Sequence, residues 1–185
     1  MPEPDRPELD RTARYSTVAI WLHWIIAALV IAELAIGLLH ESLLKSAFFV
    51  HKATGITVLA LTIVRIVWRL MHRPPPLPAQ TPAWEKGLAH ATHWMLYGLL
   101  LALPLSGWVM VSRVSKRRPL DWFGVFDIPY LPVSEAAGGV ARNVHGLLGW
   151  VALALVVLHV AAALRHHLLL RDTVLTRMAP VLDRG

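Results

Sequence analysis

Four long stretches of apolar residues alternate with short polar segments along the 185-residue chain. They run 17–39, 47–70, 88–111 and 144–168, and each is near the ~20 residues that a helix needs to cross a bilayer. Between the second and third lies His72-Arg-Pro-Pro-Pro-Leu-Pro-Ala-Gln-Thr-Pro82, a stiff connector that cannot be helical. Between the third and fourth lies 112–143, rich in Gly, Pro and aromatic residues and suited to pack as a cap over one end. Pro104 inside the third stretch, with Gly107 soon after it, predicts a kink that neighbouring helices absorb. The pattern predicts an all-α membrane four-helix bundle forming a single domain, 1–185. Residues 1–16 form an arm and 169–185 a tail.

Composition agrees. The chain is 56% hydrophobic with a mean hydropathy of +0.52, too apolar for a soluble domain of this size. The start, Met1-Pro-Glu-Pro-Asp-Arg-Pro, is polar and has no cleavable signal pattern. Basic residues set the expected orientation. With both termini inside, eleven lie on inner segments and seven on outer ones, which favours cytoplasmic termini and an outer, periplasmic 112–143 loop. The expected location is the bacterial inner membrane. The run Arg113-Val-Ser-Lys-Arg-Arg118 is strongly basic for an outer segment. Nothing in the sequence points to nucleic acid or to an obligate protein partner; membrane lipid is the expected surrounding.

Ten histidines and no cysteine narrow the chemistry. Without cysteine there are no disulfides, thiolate haem ligands, iron–sulfur clusters or thiolate zinc sites. Ionisable residues inside a membrane are costly and by default functional. His145 and His159 lie fourteen residues apart on one apolar stretch. Fourteen steps of ~100° return to nearly the same helix face, ~21 Å further along. Depth pairs His23 with His159 at the inner level and His51 with His145 at the outer level. A haem edge-on to a helix needs a small residue one turn from its ligand. The residues four beyond are Ala27, Gly55, Gly149 and Ala163, all small. His90 and His93 instead meet Trp94 and Tyr97, although the depth of His93 also suits the inner level. Two bis-histidine haems, with His23, His51, His145 and His159 as iron ligands, account for the pattern. Arg65, fourteen residues after His51, falls near the same face at the inner level and is the candidate partner for an inner haem propionate. The alternative for Arg65 is snorkelling to headgroups. Glu33 is read either as a proton relay or as a group hydrogen-bonded to a neighbouring helix.

The sequence resembles the bacterial cytochrome b561 family of small di-haem membrane cytochromes, which includes superoxide oxidase. The resemblance rests on Ala19-Ile-Trp-Leu-His23-Trp24, His51-Lys-Ala-Thr-Gly55 with Arg65, Gly87-Leu-Ala-His90-Ala-Thr-His93, Ala102-Leu-Pro104-Leu-Ser-Gly107 and Leu158-His159-Val-Ala-Ala-Ala-Leu-Arg-His166-His167 with Leu175-Thr-Arg-Met-Ala-Pro180. It extends from Tyr15 to Pro180. It implies two haem b groups with ligands from the first, second and fourth helices, two of them on the fourth. It also implies electron transfer between superoxide on the periplasmic side and ubiquinone. On that reading Lys52, Arg113, Lys116, Arg117, Arg118 and Arg142 are candidates to steer the superoxide anion, the alternative being that they neutralise haem propionates or bind lipid phosphates. His90, His93, Tyr97 and His166 are candidates for binding quinone or relaying its protons near the inner haem. Trp108 and the loop Asp121-Trp-Phe-Gly-Val-Phe126 are the candidates near the outer one. The alternative function, also found in related cytochromes, is a haem b conduit that anchors a separate dehydrogenase or hydrogenase and feeds quinone.

Overall fold

The computed structural model describes residues 14–39, 45–78, 80–113, 115 and 120–182. Four helices dominate it: α1 (Thr17–Leu38), α2 (Lys45–Met71), α3 (Ala83–Ser112) and α4 (Glu135–Arg165). All four are long and apolar enough to cross a membrane. Most of their large apolar side chains are exposed, among them Trp21, Ile63, Trp94, Trp150 and Val157, as lipid-facing surfaces require. The molecule is a membrane four-helix bundle. α1 packs on α2, α2 on α3 and α3 on α4, whereas α1 barely touches α4. One end of the bundle carries residue 14 and the tail; the other carries the 113–134 connection. They are called here the termini end and the loop end.

Two helices start earlier than hydropathy predicts. α3 begins at Ala83 rather than 88, and α4 at Glu135 rather than 144. The Ser134 hydroxyl caps α4 by accepting from the Ala137 N–H at 3.2 Å, and Glu135 sits in its first turn, where a carboxylate complements the helix dipole. Glu85 occupies the same place in α3. Hydropathy marks the apolar span, but a capped helix continues past it into polar surroundings. His145 therefore lies well inside α4 rather than at its end.

The loop between α3 and α4 does form a cap. Its centre is a hairpin of β1 (Asp121–Trp122) and β2 (Phe126–Asp127), paired antiparallel. The turn places Phe123 and Gly124 at positive φ, and the Asp121 carboxylate accepts from the Gly124 N–H at 2.6 Å. Trp122 stacks on Phe126, and its indole N–H donates to Thr57 Oγ1 on α2 at 3.0 Å. The Trp108 indole donates to the Pro129 carbonyl, and Ser112 Oγ accepts from the Leu131 N–H. The cap is thus tied to both α2 and α3.

Pro104 lies inside an unbroken α3. At the termini end α4 runs on into a π-helical turn, His166–Leu170, which Arg171 closes in the left-handed conformation. The chain then folds back. The Trp24 indole donates to the Met178 carbonyl at 2.7 Å. The buried Arg177 donates to the Pro76 carbonyl of the proline-rich connector and to Thr173 Oγ1.

Candidate functional site: two facing imidazole pairs

The histidines meet along a seam where α4 faces α2 at the loop end and α1 at the termini end. His51 on α2 faces His145 on α4, with ring centres 6.1 Å apart and planes at 89°. His23 on α1 faces His159 on α4, with ring centres 6.3 Å apart and planes at 74°. Metal–imidazole bonds run about 2.0–2.1 Å, so two imidazoles on one metal put their ring centres roughly 6 Å apart. Both pairs match that spacing, one at each end of the bundle.

A cavity of about 310 Å³ opens around the loop-end pair, within the size range of cofactor pockets. Glu33, His51, Gly55, Pro104, His145 and Gly149 are among its lining residues. A Cβ added to Gly149 would meet nothing within 4 Å, and one on Gly55 would meet only Glu33 Oε2, at 3.9 Å. Both glycines therefore leave space on the ligand's own face, as a flat macrocycle edge would require. Two further glycines crowd the rings from the opposing helices. A Cβ on Gly107 would come to 3.3 Å of His145 Cε1, and one on Gly37 to 3.9 Å of His51 Cε1. Sequence spacing singled out the glycine four residues along each ligand's own helix but missed these. Their signal, a small residue at matched depth on another helix, needs the helix packing to be read.

The imidazoles are oriented from behind. His145 Nδ1 lies 3.0 Å from the Leu103 carbonyl and 3.0 Å from Ser106 Oγ, while that hydroxyl itself donates to Leu103. A carbonyl only accepts, so Nδ1 carries the proton and Nε2 keeps its lone pair for a metal. His51 Nδ1 lies 2.7 Å from Glu33 Oε2. Glu33 thus comes within ion-pair distance of a neighbouring helix, without the aligned hydrogen bond expected there. The donor set, the spacing and the glycine-lined cavity fit a haem held between His51 and His145.

The termini-end group has three imidazoles, not two. His93 on α3 lies with its ring centre 5.5 Å from that of His159, nearer than His23. Tyr97, one turn on, is buried and points elsewhere: its hydroxyl accepts from Arg65 Nε at 3.1 Å. Arg65 also donates to the Ala19 carbonyl at 3.1 Å, and its guanidinium and that of Arg69 lie 6.0 and 5.9 Å from the Tyr97 ring centre. Arg65 is thus held inside the bundle by α1 and α3. It borders a recess of about 70 Å³ shared with Arg14, Arg69 and Arg73. That placement suits an anionic group reaching down from the His23–His159 level.

The remaining candidate residues separate. His90 is exposed, with Nδ1 on the Lys86 carbonyl at 2.7 Å. His166 belongs to a polar knot at the termini end, with Nδ1 2.5 Å from Asp172 and Nε2 4.0 Å from Glu85, which also pairs with Arg165 at 3.3 Å. Among the cations, Lys52 lines the loop-end cavity and Arg142 is exposed one turn before His145. Arg113 packs against Gly138, where an added Cβ would come to 2.8 Å of the Arg113 Cβ. Lys116, Arg117 and Arg118 lie outside the described residues.

The chain is similar to known proteins over nearly its whole length. Residues 14–180 match the family model described as prokaryotic cytochrome b561. Cytochrome b561 homolog 2 of Escherichia coli K12 is 33% identical over 173 residues, covering 89% of this chain and 90% of that one. The protein named probable superoxide oxidase CybB of Yersinia pestis is 32% identical over 178 residues, covering 90% and 96%. Cytochrome b561 homolog 1 of Escherichia coli K12 is 30% identical over 173 residues, covering 90% and 97%. With four membrane-spanning helices and histidines facing across their seam, the chain belongs to the prokaryotic cytochrome b561 family of bacterial multipass membrane electron-transfer proteins, which carry b-type haem.

Proposed function

We propose that this protein is a superoxide:ubiquinone oxidoreductase that takes electrons from superoxide on the periplasmic side through two bis-histidine haems. The observation that carries the reading is the pair of facing imidazole sets at two depths, His51–His145 and His23–His159. The name of the Yersinia pestis relative supports the choice of substrate. The loop end is taken as periplasmic from the distribution of basic residues. The balanced reaction joins two superoxide anions, one ubiquinone and two protons to give two dioxygen molecules and one ubiquinol.

Bound between these imidazoles, b-type haem supplies reversible one-electron transfer. The residues supply position and surroundings. With two imidazoles to hold each haem, the chemistry it would supply is outer-sphere electron transfer rather than oxygen activation. Leu103 and Ser106 hold His145 with Nε2 free. Gly55 and Gly149 keep the cavity clear. Tyr97 and Ala19 hold Arg65 at the termini end, where its charge would offset a haem propionate. Lys52 and Arg142 add positive potential beside the loop-end cavity, which raises the encounter rate of a small anion. His93, beside His159 in the termini-end group, is the candidate to hydrogen-bond a quinone carbonyl there.

The deciding experiment is stopped-flow optical spectroscopy of the purified protein with superoxide, with and without a soluble ubiquinone. Superoxide should reduce the haems, and quinone should reoxidise them with quinol as product. Haems that superoxide leaves oxidised but quinol reduces would instead favour the conduit that serves a separate dehydrogenase.

Two further outcomes are expected. Neutralising Lys52 and Arg142 together should lower the superoxide reduction rate several-fold at low salt. The difference should vanish near 1 M salt, where the Debye length falls to ~3 Å. Rates as a function of ionic strength check this; parallel salt profiles would remove the steering role. Separately, His23→Ala should lower haem content while His93→Ala leaves it unchanged, as measured by quantitative haem spectra. The reverse result would move that ligand from α1 to α3.

A further inference from the structure

Glu33 is the one acidic residue of α1, five residues before its last residue Leu38, and its side chain is 14% exposed. Its Oε2 lies 2.7 Å from His51 Nδ1, within ion-pair reach though off the line of an ideal hydrogen bond. Neither His51 Nδ1 nor Glu33 Oε1 has another polar partner among the described residues. A carboxyl group left alone at this depth would be costly. Its presence beside a candidate ligand needs a reason that helix packing does not provide.

We infer that Glu33 is the positioning residue for His51, and that it makes the loop-end haem the easier of the two to keep oxidised. This rests on the haem reading above. The chemistry differs between the two loop-end ligands. His145 has Nδ1 on a neutral carbonyl and a hydroxyl. His51 has Nδ1 on a carboxyl oxygen. A carboxylate partner draws the Nδ1 proton toward itself, so Nε2 becomes a stronger donor to a metal. The added negative charge lies in a low-dielectric setting, where it favours the higher oxidation state. Both effects lower the reduction potential at this end. At the termini end no such carboxyl contact to His23, His93 or His159 exists among the described residues. Arg65 sits there instead, and its positive charge acts in the opposite direction. The two ends are thus biased in opposite senses, which favours electron flow from the loop end to the termini end.

The test is redox titration of the haem-loaded protein in detergent, followed optically, with electron paramagnetic resonance of the oxidised haems. The variants are Glu33→Gln, Glu33→Asp and Glu33→Leu. Glu33→Gln keeps an oxygen that can accept from Nδ1 and removes the charge. It should retain both haems, raise the potential of one, leave the other unmoved, and shift one of the two low-spin resonance signals. Glu33→Asp keeps the charge but draws it back, and should give a smaller shift in the same direction. Glu33→Leu removes both functions and should lose the loop-end haem or raise its potential further. Unchanged potentials in haem-loaded Glu33→Gln and Glu33→Asp would overturn the inference, as would an equal shift of both haems. A His51→Ala protein that still binds two haems would instead overturn the haem assignment on which the inference rests.

Discussion

His145→Ala is expected to reduce haem content from about two per chain to about one, because an iron loses one of its two imidazoles. His51→Ala should do the same. The two variants should be spectroscopically alike, since both empty the same cavity. The termini-end haem should remain, because His23 and His159 lie at the opposite end of the seam. Superoxide should then reduce the remaining haem far more slowly, by at least an order of magnitude, having lost the site proposed to meet it first. Quantitative haem spectra and stopped-flow reduction would check both parts. Ser106→Ala provides a graded companion. It leaves the Leu103 carbonyl in place as the acceptor for Nδ1, so haem should stay while the absorption band shifts slightly. Full occupancy and unaltered superoxide reduction in His145→Ala would sink the loop-end assignment.

Gly149→Leu should be as damaging with every ligand intact. A Cβ at Gly149 meets open space, so an alanine there should be tolerated. A leucine would extend into the cavity between His51 and His145 and compete with the macrocycle for it. Loop-end haem is expected to fall below about a tenth of wild-type occupancy while the other haem and the fold persist, a loss equivalent to at least ~1.4 kcal/mol of binding. Gly107→Ala should act differently. Its methyl would press on the edge of His145 at 3.3 Å, tilting the ring rather than filling the cavity. Haem should remain with an altered low-spin signal. Equal haem content in Gly149→Leu and wild type would mean that the small residues serve helix approach alone.

How much of this was legible without coordinates follows from what sequence encodes. Hydropathy located all four spans, and helical periodicity placed His145 and His159 on one face. Depth along a helix is nearly a linear function of residue number, so the expected pairing of His23 with His159 and of His51 with His145 agrees with which rings face each other. The size argument at Gly55 and Gly149 also used only one helix at a time. What could not be read depends on how helices rotate against one another. Glu33 at His51, Leu103 and Ser106 at His145, and His93 beside His159 are contacts between different helices. The bulk of Tyr97 counted against His93 only on the assumption that the two share a direction, whereas Tyr97 turns to Arg65. Helix starts were misjudged at Glu135 and Ala83 because a polar first turn carries no apolar signal.

The fold-back of the tail sets an order on assembly. α1–α2 and α3–α4 are consecutive helix hairpins that pack on each other and can pair as they are made. The link from Trp24 to Met178 spans 154 residues, and that from Arg177 to Pro76 spans 101. Neither can form until the tail has been made, and closing so long a loop is slow relative to local pairing. Since α1 and α4 barely touch elsewhere, these late contacts help to fix the first helix against the last. Until then the two hairpins can part along the seam that the histidines line, so a nascent bundle offers a planar cofactor a sideways door that the finished one has latched.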